Sequence, residues 1–268
     1  FILCALWFLN KEIMLNPKFA DMVFPAISVI AIGYLMYSIF TEEKAQSKKT
    51  LIIMFLCIIS VMFWSFYFQM FMSLTLFIIR AVESVFLGIE FTPPYYVAVE
   101  SIGMIIIGYC LTRKKNMISL SLEKQASNII NKFIYALALM LLNYLWIDFI
   151  CHWSNPSHKI SPLMIIPGYL IISKAELLLS PIGVSAMTIL SCRKKVSTMM
   201  GIFFVSLGLG GFFSGKLAGL TAVSDQSMSV EALKMHYTNG FTKLATILLI
   251  CVLLSLLLKY FSTKILNN

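Results

Sequence analysis

From Pro162 to Leu190 the chain carries two charged residues, Lys174 and Glu176, in an otherwise apolar run. At about 1.5 Å per residue, roughly thirty residues make a helix of about 45 Å, enough to cross a bilayer with some tilt. Glu176 falls near the midpoint of that run. A carboxylate at bilayer depth costs about 3 kcal/mol or more, so it is expected to face a bundle interior or a water-filled cavity. Ser180-Pro181 follows one helical turn later. Pro181 removes a backbone hydrogen bond, and a serine hydroxyl or water takes up the freed carbonyl. Two readings stay open for this stretch. One is a moving, ion-coupled site; the other is a helix kink with an acid bonded to a neighbouring helix.

Other runs repeat the pattern. Of 268 residues, 59% are hydrophobic and 12% charged, a balance that leaves too little charge for the surface of a soluble domain. The apolar runs are far longer than strands, which excludes an outer-membrane barrel and predicts an all-α, polytopic transmembrane bundle. The net charge of +9 comes from short basic links between apolar runs. The positive-inside rule accounts for them, and nucleic acid is not expected as a partner. Cys4, Cys57, Cys110, Cys151, Cys192 and Cys251 lie in or at the ends of apolar runs without a C-x-x-C pair, so they read as small core hydrophobes. Cys151, His152 and His158 lack a fourth ligand and the spacing of a zinc site, and no metal is expected. With histidines only at 152, 158 and 236, no Ser/His/Asp constellation is visible, which argues against an enzyme.

In chain order, Phe1–Leu9 reads as the tail of a truncated helix, and Phe19–Phe40 as the next apolar helix. Six spans follow: Leu51–Ile79, Tyr95–Leu111, Phe133–Trp153, Pro162–Leu190, Thr198–Val223 and Phe241–Phe261. Asn116–Asn131 reads as a polar surface helix or loop, and Ser224–Asn239 as a polar loop. Basic links at Lys44/Lys48/Lys49, Arg113/Lys114/Lys115 and Arg193/Lys194/Lys195 alternate with acidic or weakly basic loops. That pattern predicts a multi-pass protein of the cell (inner) membrane with a cytoplasmic C-terminus. Six spans with both ends inside make half of a two-lobed transporter. Gly211/Gly215 and Gly215/Gly219 have small-xxx-small spacing and read as a packing seam. Arg80 reads as a snorkelling end-cap, and Asp148 as a helix-end acid.

Several segments resemble one transporter family. Phe63-Trp64-Ser65-Phe66-Tyr67-Phe68-Gln69, followed by Ser73-Leu74-Thr75-Leu76-Phe77, resembles the seventh-helix signature of the proton-dependent oligopeptide transporters. That family lies within the major facilitator superfamily, and the signature reads roughly F-W-x-x-F-E-Q-x-x-x-S-L-T-L-F. Ala175-Glu176-Leu177-Leu178-Leu179-Ser180-Pro181-Ile182-Gly183 resembles the tenth-helix G-E-L-x-L-S-P-V-G. Met199-Met200-Gly201 with Gly210 and Gly215 resembles the eleventh-helix pattern. Ser161-Pro162 and Lys132-Phe133 fall where that family has S-P and K-F. The resemblance covers the six spans of residues 51–264, which would form the C-terminal six-helix lobe. Residues 19–40 would be the extra inter-lobe helix of bacterial members, and 1–9 the end of a cut helix. The N-terminal lobe, with its own E-x-x-E-R-F motif, is then missing from this chain.

The resemblance implies proton-coupled symport of di- and tripeptides, with the proton as coupling ion and no other cofactor. Glu176 would meet the peptide's amino terminus, a charge-assisted contact suited to a low-dielectric cavity. Trp64, Gln69 and Ser180 would line the same cavity. Phe203, standing where the family has tryptophan, would offer an apolar face without an indole donor. Proton coupling would work by competition, since Glu176 must be ionised to hold an ammonium. Phe68 stands where the family has its seventh-helix glutamate and cannot carry a proton; Glu100 lies where it could supply the missing carboxylate. Alternatives are the same fold carrying another small solute, or a non-transporting half-transporter.

Overall fold

A computed structural model describes residues 7, 11–13, 15–113, 122–223 and 228–267. The truncated helix expected at 1–9 lies outside them apart from Trp7, as do Cys4, Lys114, Lys115 and residues 116–121. Among the described residues the chain is a bundle of helices with one small hairpin, and seven helical stretches are long and apolar enough to cross a membrane. Helices are the natural outcome, because in hydrocarbon each backbone N–H and C=O must be satisfied within its own segment.

Helix α1 spans Pro17–Thr41, with Asn16 capping the N–H of Phe19. A two-residue turn, Glu42-Glu43, leads directly into α2, Lys44–Tyr67. The basic link expected at Lys44/Lys48/Lys49 is therefore the first turns of a helix. The single span expected over Leu51–Ile79 is broken. After Tyr67 the chain makes a 3₁₀ turn, Phe68–Phe71, and resumes as α3, Ser73–Ala81. No proline or glycine marks the break. Polar side chains take up the backbone groups it frees: Tyr144 Oη donates to Phe66 O at 2.8 Å and Thr75 Oγ1 to Met70 O at 2.8 Å.

A two-stranded hairpin, β1 (Val85–Phe86) and β2 (Ile89–Glu90), turns at Leu87-Gly88 with both φ angles positive. Then come α4 (Pro93–Arg113), α5 (Leu122–Trp153), a 3₁₀ turn with α6 (Ile166–Leu190), α7 (Val196–Ala218) and α8 (Val230–Asn267). Two helices start about ten residues earlier than expected. The described part of 116–131 belongs to α5, and most of 224–239 to α8. Each polar stretch carries an apolar face at helical spacing. Ala126, Ile129, Ile130 and Phe133 are buried in α5, and Leu233, Tyr237 and Phe241 in α8.

The core is built where α5 packs on α6 and α8, α2 on α7, and α4 on α6; α1 lies across α2 and α7 and is mostly exposed. The α2–α7 seam uses Ser206, Gly210 and Ser214, which repeat every four residues. A Cβ on Gly210 would run into Trp64, 3.0 Å from its backbone carbonyl carbon, so only glycine fits. Ser206 Oγ donates to Ser60 Oγ across the same seam at 2.9 Å. The expected seam of Gly211, Gly215 and Gly219 lies on a neighbouring face. Gly215 and Gly219 meet open space, and Gly211 only brushes Phe68. Successive residues turn by about 100° on a helix, so the two rows point apart.

The links gather at two ends. At one end Val82 pairs with Ile160, and the buried Lys234 donates to Ser154 Oγ (2.8 Å) and Asn155 O (2.7 Å). At the other, Gln46 Nε2 donates to Leu190 O and Lys195 meets Glu42 at 2.7 Å. The basic residues of α2 and of the α6–α7 link thus share one end.

Candidate functional site

The break between α2 and α3 sets the site. Tyr67 is the last residue of α2 and faces α6, where its hydroxyl donates to Glu176 Oε2 at 2.6 Å. Glu176 is half-buried, so its carboxylate is held from one side and open on another. Glu100, from α4, brings a second carboxyl within hydrogen-bonding range of the first. Glu100 is 4% exposed, and its Oε1 has no donor. Three helices therefore converge on two acids and one phenol, and no basic side chain pairs with either acid among the described residues.

Of the residues expected at the site, Trp64 is near. It lies edge-on to Tyr67 at 5.0 Å and stacks on Phe68 at 5.5 Å, buried, with its indole N–H unpartnered. Ser180 is half-buried one turn along α6 from Glu176. Pro181 leaves Leu177 O without its usual helix donor, yet α6 runs through unbroken. Leu177 and Pro181 line a cavity of about 640 Å³ between α4, α5 and α6, which Asn128 and Lys132 also border.

Gln69 and Phe203 are placed elsewhere. Gln69 is fully buried; its amide donates to Ser214 O (2.7 Å) and Ser214 Oγ (2.9 Å), and its carbonyl accepts from Ser73 Oγ (2.6 Å). Phe203 is 2% exposed, its ring seated against Gly183 and tilted on Phe133. In this conformation both side chains are consumed by packing. The residue that sequence reasoning missed is Tyr67. Its signal was spacing alone: it is three residues after Trp64, on the same helix face.

Further polar residues are accounted for away from the site. His152 Nδ1 lies 3.0 Å from Asp148 O, and Asp148 Oδ1 accepts from Thr242. Arg80 reaches Val223 O at 3.5 Å. Asp21 on α1 pairs with Lys216 on α7 at 2.6 Å.

Comparison with known proteins fits this arrangement. The family model described as the POT family matches residues 13–237. Dipeptide and tripeptide permease A of Serratia proteamaculans (strain 568) is 24% identical over 237 residues, covering 87% of this chain and 46% of the permease. The permease A of Salmonella typhimurium (strain LT2) is 27% identical over 237 residues, covering 86% and 45%. The chain spans about half the length of the curated relatives it matches. Tetrameric PepTSo2 superposes with a TM-score of 0.77 at 23% identity, over 98% of this chain and 53% of that one. A bacterial homologue of the human drug peptide transporters PepT1 and PepT2 gives 0.74 at 22%. Likeness at that identity carries the fold alone: a transmembrane helix bundle. With the family model matching most of its length and seven helices fit to span a bilayer, this multi-pass membrane chain belongs to the POT family.

Proposed function

We propose that this chain is the C-terminal part of a proton-coupled symporter for di- and tripeptides. Residues 51–264 would form its six-helix lobe, and α1 the helix between lobes. In this reading an N-terminal lobe completes the cavity. The end carrying Lys44, Lys48, Lys49 and Lys195, with the C-terminus, faces the cytoplasm across the cell membrane.

The observation that carries the reading is Glu176, half-buried at mid-span and held by the Tyr67 hydroxyl at 2.6 Å. A carboxylate fixed from one side and open on the other suits an ammonium, and a peptide's amino terminus supplies one. Trp64 backs the pocket, and Ser180 and Pro181 give α6 a point below Glu176 where it can bend. Protonation of Glu176 removes its hold on the ammonium and releases the peptide. The names of the relatives, dipeptide and tripeptide permeases, support this cargo.

The test is uptake of labelled dialanine by vesicles bearing the longest natural chain that contains these residues, under an inward proton gradient, beside Glu176→Gln. Gradient-dependent uptake that the variant loses is expected. No dialanine uptake by a stable, inserted protein would overturn the peptide reading in favour of another solute or a non-transporting half.

A further inference from the structure

Glu100 is the most deeply buried acid among the described residues, and its environment is short of donors. Its Oε1 receives no hydrogen bond, and its Oε2 receives one, from Ser101 Oγ at 3.4 Å. It faces another carboxyl, that of Glu176. Two carboxylates in contact away from water repel each other, whereas one proton between them turns the contact into an O–H···O hydrogen bond.

The backbone enforces this approach. One turn along α4 from Glu100 is Gly103, where a Cβ would lie 2.6 Å from Ser173 Oγ. Ser173, one turn before Glu176, donates to Glu100 O at 2.8 Å. The close passage of α4 against α6 thus sets the two acids face to face. Toward the hairpin end of the same seam lie Tyr96 and Tyr169, with rings 5.5 Å apart. Their hydroxyls are buried and unpartnered. Tyr169 is close enough to Glu100 to interact with it electrostatically, so these phenols continue the polar side of the seam from Glu100 toward the hairpin end.

We propose that Glu100 and Glu176 share one proton and act as the proton-carrying unit of this transporter, reached from the hairpin end past Tyr96 and Tyr169. The proposal rests on the symport reading of the same site. A proton from water binds Glu100, whose O–H donates to Glu176. Glu176 stays a carboxylate, accepting from Tyr67 and from the substrate ammonium. When the O–H bond on Glu100 breaks and one forms on Glu176, the anchoring charge is neutralised and the ammonium leaves faster; without that proton it still leaves by simple dissociation, so exchange at equal pH does not need Glu100. Glu176 then gives the proton to water on the other side. The titratable groups facing the pair among the described residues are Tyr67 from α2 and Tyr169 on α6, with Tyr96 of α4 against Tyr169.

The test uses the longest natural chain containing these residues, reconstituted in vesicles, with Glu100→Gln beside it. Three readouts are needed: dialanine accumulation under a proton gradient, dialanine counterflow at equal pH, and the infrared C=O band of protonated carboxyls across a pH titration. For one proton per solute, a gradient of about one pH unit sustains about tenfold accumulation. The expected result is that Glu100→Gln loses this accumulation and one protonated-carboxyl band but keeps counterflow. Unchanged accumulation, or an unchanged band, overturns the proposal. Loss of counterflow also overturns it, because Glu100 would then serve the solute or the fold. A wild type inert to dialanine that still loses its band on Glu100→Gln sinks the peptide reading and leaves the acid pair standing.

Discussion

Two polar clusters flank the same helix break and have opposite character. On one side Gln69 is fully buried, with its amide and carbonyl matched to Ser214 and Ser73. On the other, two residues earlier, Tyr67 holds Glu176, which faces Glu100 with an oxygen left without a donor. The Gln69 cluster is neutral and closed, so it fixes α7 against α3 and has nothing left to offer a solute. The acid cluster is charged, half-open and incompletely bonded, the state in which a buried polar group costs most. A fold keeps such a cost where the site does chemistry or binding. The difference teaches that the stretch Trp64–Gln69 splits between two surroundings: its first part lies against the acid cluster and its last residue ties the bundle together.

The largest expected effect separates the clusters by kind. Gln69→Ala removes three buried hydrogen bonds, two to Ser214 and one from Ser73, and is expected to cost about 3 kcal/mol at about 1 kcal/mol each. Thermal unfolding in detergent should show a clear loss in Tm. Uptake per folded molecule should hold; a specific loss of uptake at unchanged Tm would make Gln69 a solute contact. Tyr67→Phe should do the converse. It removes one hydrogen bond to a charged group, worth about 1.5 kcal/mol, so KM for dialanine should rise about tenfold with Tm little changed. An unchanged KM would detach Tyr67 from the solute site.

How far each region could be read from sequence follows from the physics that places it. The spans were legible because a bilayer demands long apolar runs, and Pro162–Leu190 came out as a single span, a short 3₁₀ turn leading into α6. Helix starts were less so. Lys44, Leu122 and Val230 begin helices whose first turns are polar on average and apolar only on one face, so a hydropathy reading misses them. The break after Tyr67 left no signal, since tertiary contacts from Tyr144 and Thr75 support it in the absence of proline or glycine. Glu176 was legible as a lone mid-span acid. That Glu100 faces it depends on the Gly103–Ser173 passage, a relation between helices seventy residues apart in sequence and invisible within either one.

That passage gives a smaller test. Gly103→Ala places a methyl 2.6 Å from Ser173 Oγ and 2.9 Å from Leu170 Cδ2. Both atoms end flexible side chains, so the expected cost is about 1 kcal/mol of stability. The two acids should part slightly, and accumulation under a proton gradient should fall more than counterflow does. Equal falls in both would mean that the seam only packs.

The smallest effect lies at the far rim and sets a baseline for an ordinary ion pair in this fold. Lys195 donates to Glu42 Oε1 at 2.7 Å and to Ser38 Oγ at 3.1 Å, while Thr50 donates to Glu42 Oε2 at 2.6 Å. The hydrogen bond to Glu42 raises the Lys195 ammonium above the usual lysine range. A group with a raised folded pKa adds stability that is complete below its unfolded value and lost as pH climbs through the folded one. The clamp should therefore be fully present at and below the ordinary lysine range and fade only in strong base. Because Lys195 is partly exposed, Lys195→Gln should cost no more than about 1 kcal/mol near neutrality, and added salt should shrink that difference. Paired Tm measurements from neutral pH upward check this: the gap between wild type and variant should stay constant and then close at the alkaline end. Coupled uptake should be untouched throughout, unlike every change at the acid pair. If Lys195→Gln instead uncouples uptake from the proton gradient, the division between a closed scaffold and an open acid site fails, and α1 has to be counted as part of the moving machinery.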